Sequence, residues 1–364
     1  MSGSAPVSDR EQKVLSIIET ARAKRGKFRD AQITMAHGAG GKATQSLIEG
    51  LLVPAFANES LSVMADAGSV AVNGAQVAMT TDSFVVKPIR FPGGSIGELA
   101  VNGTVNDLAM AGARPLALTL SLILEEGLGA DALRAEVEAI AETAAEAGVT
   151  IIAGDTKVVE RGHADSMYIC TTGLGLVDER AHLSPDALRP GDRILVSGRI
   201  GDHGTAIMLS RGEFDLDADI ESDTRSLWPT VDALLDKAGP SLRCLRDATR
   251  GGVASVLNEL ARASRVAMLV REAAVPVHPA VAGAAEILGI DPMYVANEGK
   301  LVAIVAPEAA EAALEALRSV PGGEQAAEIG ECKTQPEGMV LVETAFGGKR
   351  VMDQLVGDPL PRIC

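Results

Sequence analysis

From Ile33 onward the chain alternates short apolar runs with turns rich in glycine and aspartate, a pattern that predicts a mixed α/β protein. Apolar runs flank Asn73-Gly74 within Val70–Thr81, and that dipeptide is a type I′ hairpin signal. A helix rich in small residues is predicted over Gly97–Ala111 and a buried strand over Leu116–Leu124. An Ala/Glu-rich helix follows over Ala130–Gly148, with Gly148 as its stop. Val149–Ala153 and Met167–Leu176 read as strands. The turn-rich stretch from Ser184-Pro185 to Pro190-Gly191-Asp192 marks a domain boundary. Beyond it, strands are predicted at Arg193–Ser197, Val266–Val270 and Leu301–Val305. Helices are predicted at Thr205–Ser210, Val253–Ala263, Val281–Leu288 and Glu308–Val320. Acidic or glycine-rich turns follow apolar strands in both halves, which is where α/β domains place their sites.

The expected organisation is therefore an extension over 1–30, mobile or helical, a first domain over 31–183 and a second over 184–345. A flexible tail over 346–364 completes it, with Gly347-Gly348 as hinge and Pro359 and Pro361 stiffening it. The length of 364 residues fits two domains. With aromatics at only 2%, the core must be aliphatic. A net charge of -16 argues against a nucleic-acid or anionic-membrane surface. No apolar run is long enough to span a membrane. The four cysteines, Cys170, Cys244, Cys332 and Cys364, have no C-x-x-C spacing, so neither a zinc site nor a disulfide framework is expected. That usage suits a reducing cytoplasm.

Several residues could carry chemistry. His37-Gly38-Ala39-Gly40-Gly41-Lys42 makes a loop whose backbone N–H groups can face an anion, with His37 and Lys42 adding charge at its edges. A plain flexible turn fits those residues equally well. Asp82, Asp107, Asp155 and Asp247 each stand at an expected turn, and converging carboxylates suit a hard cation such as Mg²⁺ bridging phosphates. Singly, each reads as a cap or turn residue. Lys157 could touch a phosphate or move a proton, or be a solvated surface lysine. Glu298 could be a base, or a turn residue before Leu301. Cys364 is a thiol on a tail, able to carry a covalently attached group, and by itself as easily a stray residue.

Together these segments resemble one family over about Ile33–Cys364. The motifs are HGAGGK at 37–42, MTTDSFVVKPIRFPGGSIGELAVNGTVNDLAM at 79–110 and AGDTKVVERG at 153–162. RDATRGG at 246–252, DPMYVANEGK at 291–300 and PRIC at 361–364 complete the set. The sequence is similar to the HypE carbamoyl dehydratases of hydrogenase maturation, within the aminoimidazole ribonucleotide synthetase-like (PurM-like) superfamily. The resemblance implies a two-domain PurM-like α/β (α+β) fold with ATP and Mg²⁺ at the first domain. It implies that Cys364 accepts a carbamoyl group from a HypF-like carbamoyltransferase. ATP-dependent dehydration then gives a thiocyanate, whose cyanide passes to iron on a HypC–HypD-like complex.

In that picture Lys157 and Glu298 contact the amide, and Asp82, Asp107, Asp155 and Asp247 hold the metal. His37, Gly38, Gly40, Gly41 and Lys42 cover the phosphates, and Asn106, Thr156 and Thr249 join the cofactor-binding set. A homodimer with ATP near the subunit interface is also implied. Three other readings compete, one of them a dinucleotide oxidoreductase, which explains the glycines only. A sister ATP-dependent enzyme such as selenophosphate synthetase has no use for PRIC, and a non-enzymatic thiol carrier has no use for Lys157 or the aspartates.

Overall fold

A computed structural model describes residues 28–56, 58–62, 64–212, 219–355, 357 and 362–364. The expected extension over 1–30 lies almost wholly outside the described residues, as do Pro359 and Pro361.

The first domain is built on a five-stranded sheet. Its strands are β1 (Gly68–Val72), β2 (Ala75–Phe84), β5 (Ala113–Glu125), β6 (Thr150–Val159) and β7 (Met167–Val177), in spatial order β1-β2-β7-β5-β6. β1 and β2 form the expected hairpin. Asn73 (φ 51°) and Gly74 (φ 86°) both take the left-handed conformation that a type I′ turn needs. A small ribbon, β3 (Arg90–Phe91) with β4 (Gly94–Ser95), leads into the Ile96–Met110 helix. Ser95 caps that helix by accepting a hydrogen bond from the Glu98 N–H. Thirteen of the helix's fifteen residues are buried, because it lies between its own sheet and the second domain. Small residues allow this close approach: Gly173 of β7 sits under Thr104 and Leu108, with no room for a Cβ.

The Ile96–Met110 helix covers the Ala78, Phe84, Ile169 and Thr171 face of the sheet. The opposite face stays open, with Val70, Met79 and Leu176 exposed along it. β6 is an edge strand, exposed along most of its length.

The second domain carries a seven-stranded sheet, adding β8 (Arg193–Val196), β9 (Leu242–Asp247), β10 (Ala267–Arg271), β11 (Leu301–Val305), β12 (Ala327–Lys333), β13 (Val340–Glu343) and β14 (Lys349–Met352). Their order is β14-β13-β10-β12-β8-β11-β9, antiparallel except for β10 with β13. Helices Trp228–Ala238 and Ala310–Ser319 cover one face, and Gly252–Ser264 the other. β11 is buried at all five positions, as a strand covered on both faces must be.

Three expectations need correction. Asp82 and Asp155 lie within strands and Asp107 within a helix, not at turns, because β2 and β6 run further than their apolar runs. Gly347-Gly348 is the turn between β13 and β14, closed by the Gly347 N–H on the Thr344 carbonyl, and is not a tail hinge. The chain therefore stays in the second domain through Met352 and beyond, where Tyr294 Oη–H donates to the Asp353 carbonyl at 2.7 Å.

Candidate active site

The tail and an acidic cluster meet where the two domains join. Arg362–Cys364 lies antiparallel to the segment leaving β2. The Val85 N–H donates to the Cys364 carbonyl at 3.1 Å, and the Lys87 N–H to the Arg362 carbonyl at 3.2 Å. Arg211 also donates to the Arg362 carbonyl, at 2.6 Å, and Arg362 ion-pairs with Asp165. Ile363 is buried in a core cluster that joins Val86 and Phe91 of the first domain to Ile207 of the second. This anchor holds the tail docked, with Cys364 half-buried in a cavity of about 300 Å³.

The glycine loop forms one wall of that cavity. Gly40 has φ +74°, and a Cβ there would lie 2.8 Å from the Arg250 carbonyl. A Cβ on Gly41 would lie 2.5 Å from the Leu355 carbonyl. These glycines are thus explained by close backbone approach. The loop's flanking charges point elsewhere than expected. His37 is buried, its Nε2–H donating to Asp30 at 2.9 Å while Nδ1 accepts from the Thr34 N–H at 3.0 Å. Lys42 pairs with Asp353 at 2.8 Å.

Below the tail lies the cluster. Carboxylate oxygens of Asp66, Asp107 and Asp247 come within 4.8 Å of one another. The start of β1, the last turn of the Ile96–Met110 helix and the end of β9 bring them together. Thr80 Oγ–H reaches Asp107 at 2.8 Å. Burial, then the neighbouring Asp247, Asp66 and Asp82, push the Asp107 carboxyl well above the usual range. Its place at a helix C-terminus adds a further unfavourable field. Burial and Asp66 push Asp247 up to about 8. Arg246, ion-paired to Asp66, opposes the rise at Asp66 and Asp247 without cancelling it. Such a hard-oxygen cluster with surplus negative charge fits a divalent cation.

Glu298 is buried, with Oε1 lacking any hydrogen-bond partner. Burial, then Asp247 and Asp82, raise its pKa well above the usual value. Arg250 spans the gap between cluster and tail. Its guanidinium donates to the Gly38 carbonyl at 3.2 Å and stands 3.7 Å from Asp82. Its charged form is favoured foremost by Cys364, then by Asp82, Glu298 and Asp107.

The structure thus brings Cys364, Glu298, Asp82, Asp107 and Asp247 to one region, with Thr249 in the turn after β9. It does not bring Asp155, Thr156 and Lys157 there. Asp155 pairs across the sheet with Ser121, then Cys170, then Ser83, three strand spacings or roughly 14 Å from β2. Asp155 and Lys157 share the open face, 63% and 66% exposed, joined by a 2.6 Å ion pair. Asn106 has a different task from the one expected. Its amide donates to the Arg225 and Glu298 carbonyls and accepts from the Leu227 N–H, which locks the two domains together.

Sequence reasoning missed Asp66, Arg250 and His203. Arg250 stood inside the RDATRGG motif without a role, and Asp66 precedes the first strand with no motif around it. His203 is fully buried against the tail.

The comparisons fit this architecture. Residues 64–177 match the N-terminal domain of AIR synthase related proteins, and residues 189–343 match the C-terminal domain. That places the chain in a class of two-domain α/β proteins. The carbamoyl dehydratase HypE of Azotobacter vinelandii is 51% identical over 337 residues, 93% of this chain and 98% of that one. The HypE–HypF complex superposes with a TM-score of 0.81 at 45% identity, covering 85% of this chain and all of that one. The hydrogenase maturation protein HypE in complex with ATP gives 0.77 at 47%, covering 92% of this chain and all of that one. The chain belongs to the HypE family of carbamoyl dehydratases.

Proposed function

We propose that this protein dehydrates a carbamoyl group carried on Cys364, using ATP, and so supplies cyanide for hydrogenase iron. The observation that carries the reading is the docked tail, with Cys364 and Arg250 in one cavity and Arg250 leading on to the acidic cluster and to the buried Glu298, whose Oε1 accepts no hydrogen bond.

The substrate is the thiocarbamate –S–C(=O)–NH₂. ATP supplies a phosphoryl group that turns the amide oxygen into a phosphate leaving group. Loss of two N–H protons and of phosphate leaves –S–C≡N, with ADP as the other product, so the oxygen departs on phosphate. Glu298 is suited to take an amide proton. Once ionised, the form that the neighbouring Arg250 favours, it is a stronger base than an exposed carboxylate, and its Oε1, which accepts no hydrogen bond, can receive the N–H proton. Arg250 offsets charge developing on the transferred group. Asp66, Asp107 and Asp247, with Asp82 beside them, would hold Mg²⁺, which supplies electrostatic stabilisation of the phosphates. The glycine loop of Gly38, Gly40 and Gly41 closes the cavity over the tail.

Lys157 and Asp155 enter through a second copy of the chain. The open sheet face and the exposed β6 edge suit homodimerisation, which would present these residues to the site of the other subunit. A HypF-like carbamoyltransferase loads the tail, as the HypE–HypF complex of the relative suggests. A HypC–HypD-like complex receives the cyanide. The cysteine usage, with no C-x-x-C spacing, fits a reducing cytoplasm, and among the described residues no helix is long and apolar enough to cross a membrane.

The test follows the C-terminal peptide by mass. With the carbamoyltransferase present, Cys364 gains a carbamoyl group, and ATP then removes the mass of water. Cys364→Ser should form no nitrile while keeping its fold and ATP affinity. Nitrile formation by that variant would sink the reading.

A further inference from the structure

We propose that His203 is the positioning residue that registers the tail for dehydration, through the hydrogen bond its Nε2–H donates to the Ile363 carbonyl. The inference rests on Cys364 being the loaded residue.

His203 is fully buried in the first turn of the Asp202–Ser210 helix. Its Nε2 lies 2.6 Å from the Ile363 oxygen, and its Nδ1 lies 2.8 Å from Ser222 Oγ. A carbonyl can only accept, so the proton sits on Nε2. Nδ1 must then accept from the Ser222 hydroxyl, which fixes the tautomer. Phe91 meets the imidazole edge-on, with centroids 5.6 Å apart, and fixes the ring plane. Burial disfavours the imidazolium, so the donor is neutral.

The geometry matters because of what flanks Cys364. The peptide joining Ile363 to Cys364 is held at its oxygen by His203, and the next carbonyl is held by the Val85 N–H. The Cys364 Cα lies between these two anchors, so together they set the direction of its side chain. The same Nε2 is 4.0 Å from Glu298 Oε1. One imidazole edge therefore faces both the tail and the candidate base. A histidine serving only as core filling would have no need of a partner in a segment that must leave to be loaded.

The experiment uses the full-length protein, carbamoylated by the carbamoyltransferase and then given ATP and Mg²⁺ in a single turnover. Intact mass separates loaded from dehydrated tail. His203→Ala should load at the wild-type rate and then dehydrate about 10- to 100-fold more slowly, the scale of a misplaced reacting group. His203→Gln can donate from near the Nε2 position and should recover most of the rate. Ser222→Ala leaves the imidazole but frees its tautomer, and should fall between. Hydrogen exchange at the Val85 and Lys87 amides should quicken in His203→Ala and slow again in His203→Gln.

Wild-type dehydration by His203→Ala would overturn the proposal. So would equal slowing in the Ala and Gln variants with amide protection unchanged, the mark of a purely structural residue. Should His203→Ala fail to fold, the other two variants decide, and wild-type rates in both overturn it. If the wild-type protein itself never dehydrates Cys364, the reading of Cys364 fails first, and this proposal with it.

Discussion

At the residue scale, the acidic cluster makes a sharp statement about pH. Asp247 is pushed up to about 8, and Asp107 and Glu298 are raised in the same direction. Between the ordinary carboxylate range near 4 and about 8, the folded protein holds protons that the unfolded chain has released. Protons bound to the folded state then exceed those bound to the unfolded state, so stability falls as pH rises through that window. Metal-free protein should melt at a lower temperature at pH 8 than at pH 6, and Mg²⁺ should restore most of the loss. Asp247→Asn should flatten the profile and stabilise the metal-free protein at pH 8 by about 1–3 kcal/mol, the cost scale of one unsatisfied buried polar group. Calorimetric scans across pH, with and without Mg²⁺, check both. A profile unaffected by the substitution would remove Asp247 as the source. The same variant should bind Mg²⁺–ATP more weakly, so stability and affinity should move in opposite directions.

At the element scale, short-range chemistry was the most legible part of the sequence. The Asn73-Gly74 hairpin needed only its turn dipeptide and flanking apolar runs, and the uniformly apolar Leu301–Val305 run is a strand with the expected limits. Less legible were β12, β13 and β14, whose short runs include charged residues such as Glu328, Glu331 and Lys349 and gain order only from neighbouring strands. The Trp228–Ala238 helix, absent from the expected elements, does carry a signal, with Val231, Leu234, Leu235 and Ala238 at helical spacing. The site was legible as residue types and not as geometry. Asp107 and Asp247 meet in one cluster with Asp66, not with Asp155, and Asp66 and His203 join the site through contacts distant in sequence, Asp66 with Asp247 and Arg246 and His203 with Ile363. The glycine loop illustrates the limit most clearly. Its glycines suggested an anion cradle, whereas Gly40 and Gly41 are first needed because backbone carbonyls of Arg250 and Leu355 pass so close. Gly40→Ala adds a left-handed non-glycine residue, worth about 1–2 kcal/mol, and a clash at the cavity wall. It should lower the denaturation midpoint and slow dehydration of the loaded tail more than it slows loading. Equal effects on both steps would return the loop to a purely structural role.

At the scale of the whole molecule, the unsolved geometry is that of Asp155 and Lys157. They sit on the open sheet face, roughly 14 Å from β2, and the Asp82 side chain points to the opposite face. No side-chain rotation closes that gap within one chain. If Lys157 acts on the amide, it acts on the tail of a second subunit, and this has a consequence that tests both dimer and role. Lys157→Ala should load Cys364 and then stall. Cys364→Ser should not load at all. Mixed together, the two inactive variants should form hybrid dimers in which an intact Lys157 faces an intact Cys364, so dehydration should return. A lysine acting within its own chain predicts no recovery, because every subunit with a cysteine lacks its lysine. The open face supplies the control. Val70→Lys with Met79→Lys places two charges on exposed positions of that face and leaves the core untouched. Sedimentation should show the charged form as a monomer. Added to both inactive variants, these substitutions should abolish the recovery on mixing without impairing loading of Cys364 by the carbamoyltransferase. Recovery that survives in monomers would refute action across the interface.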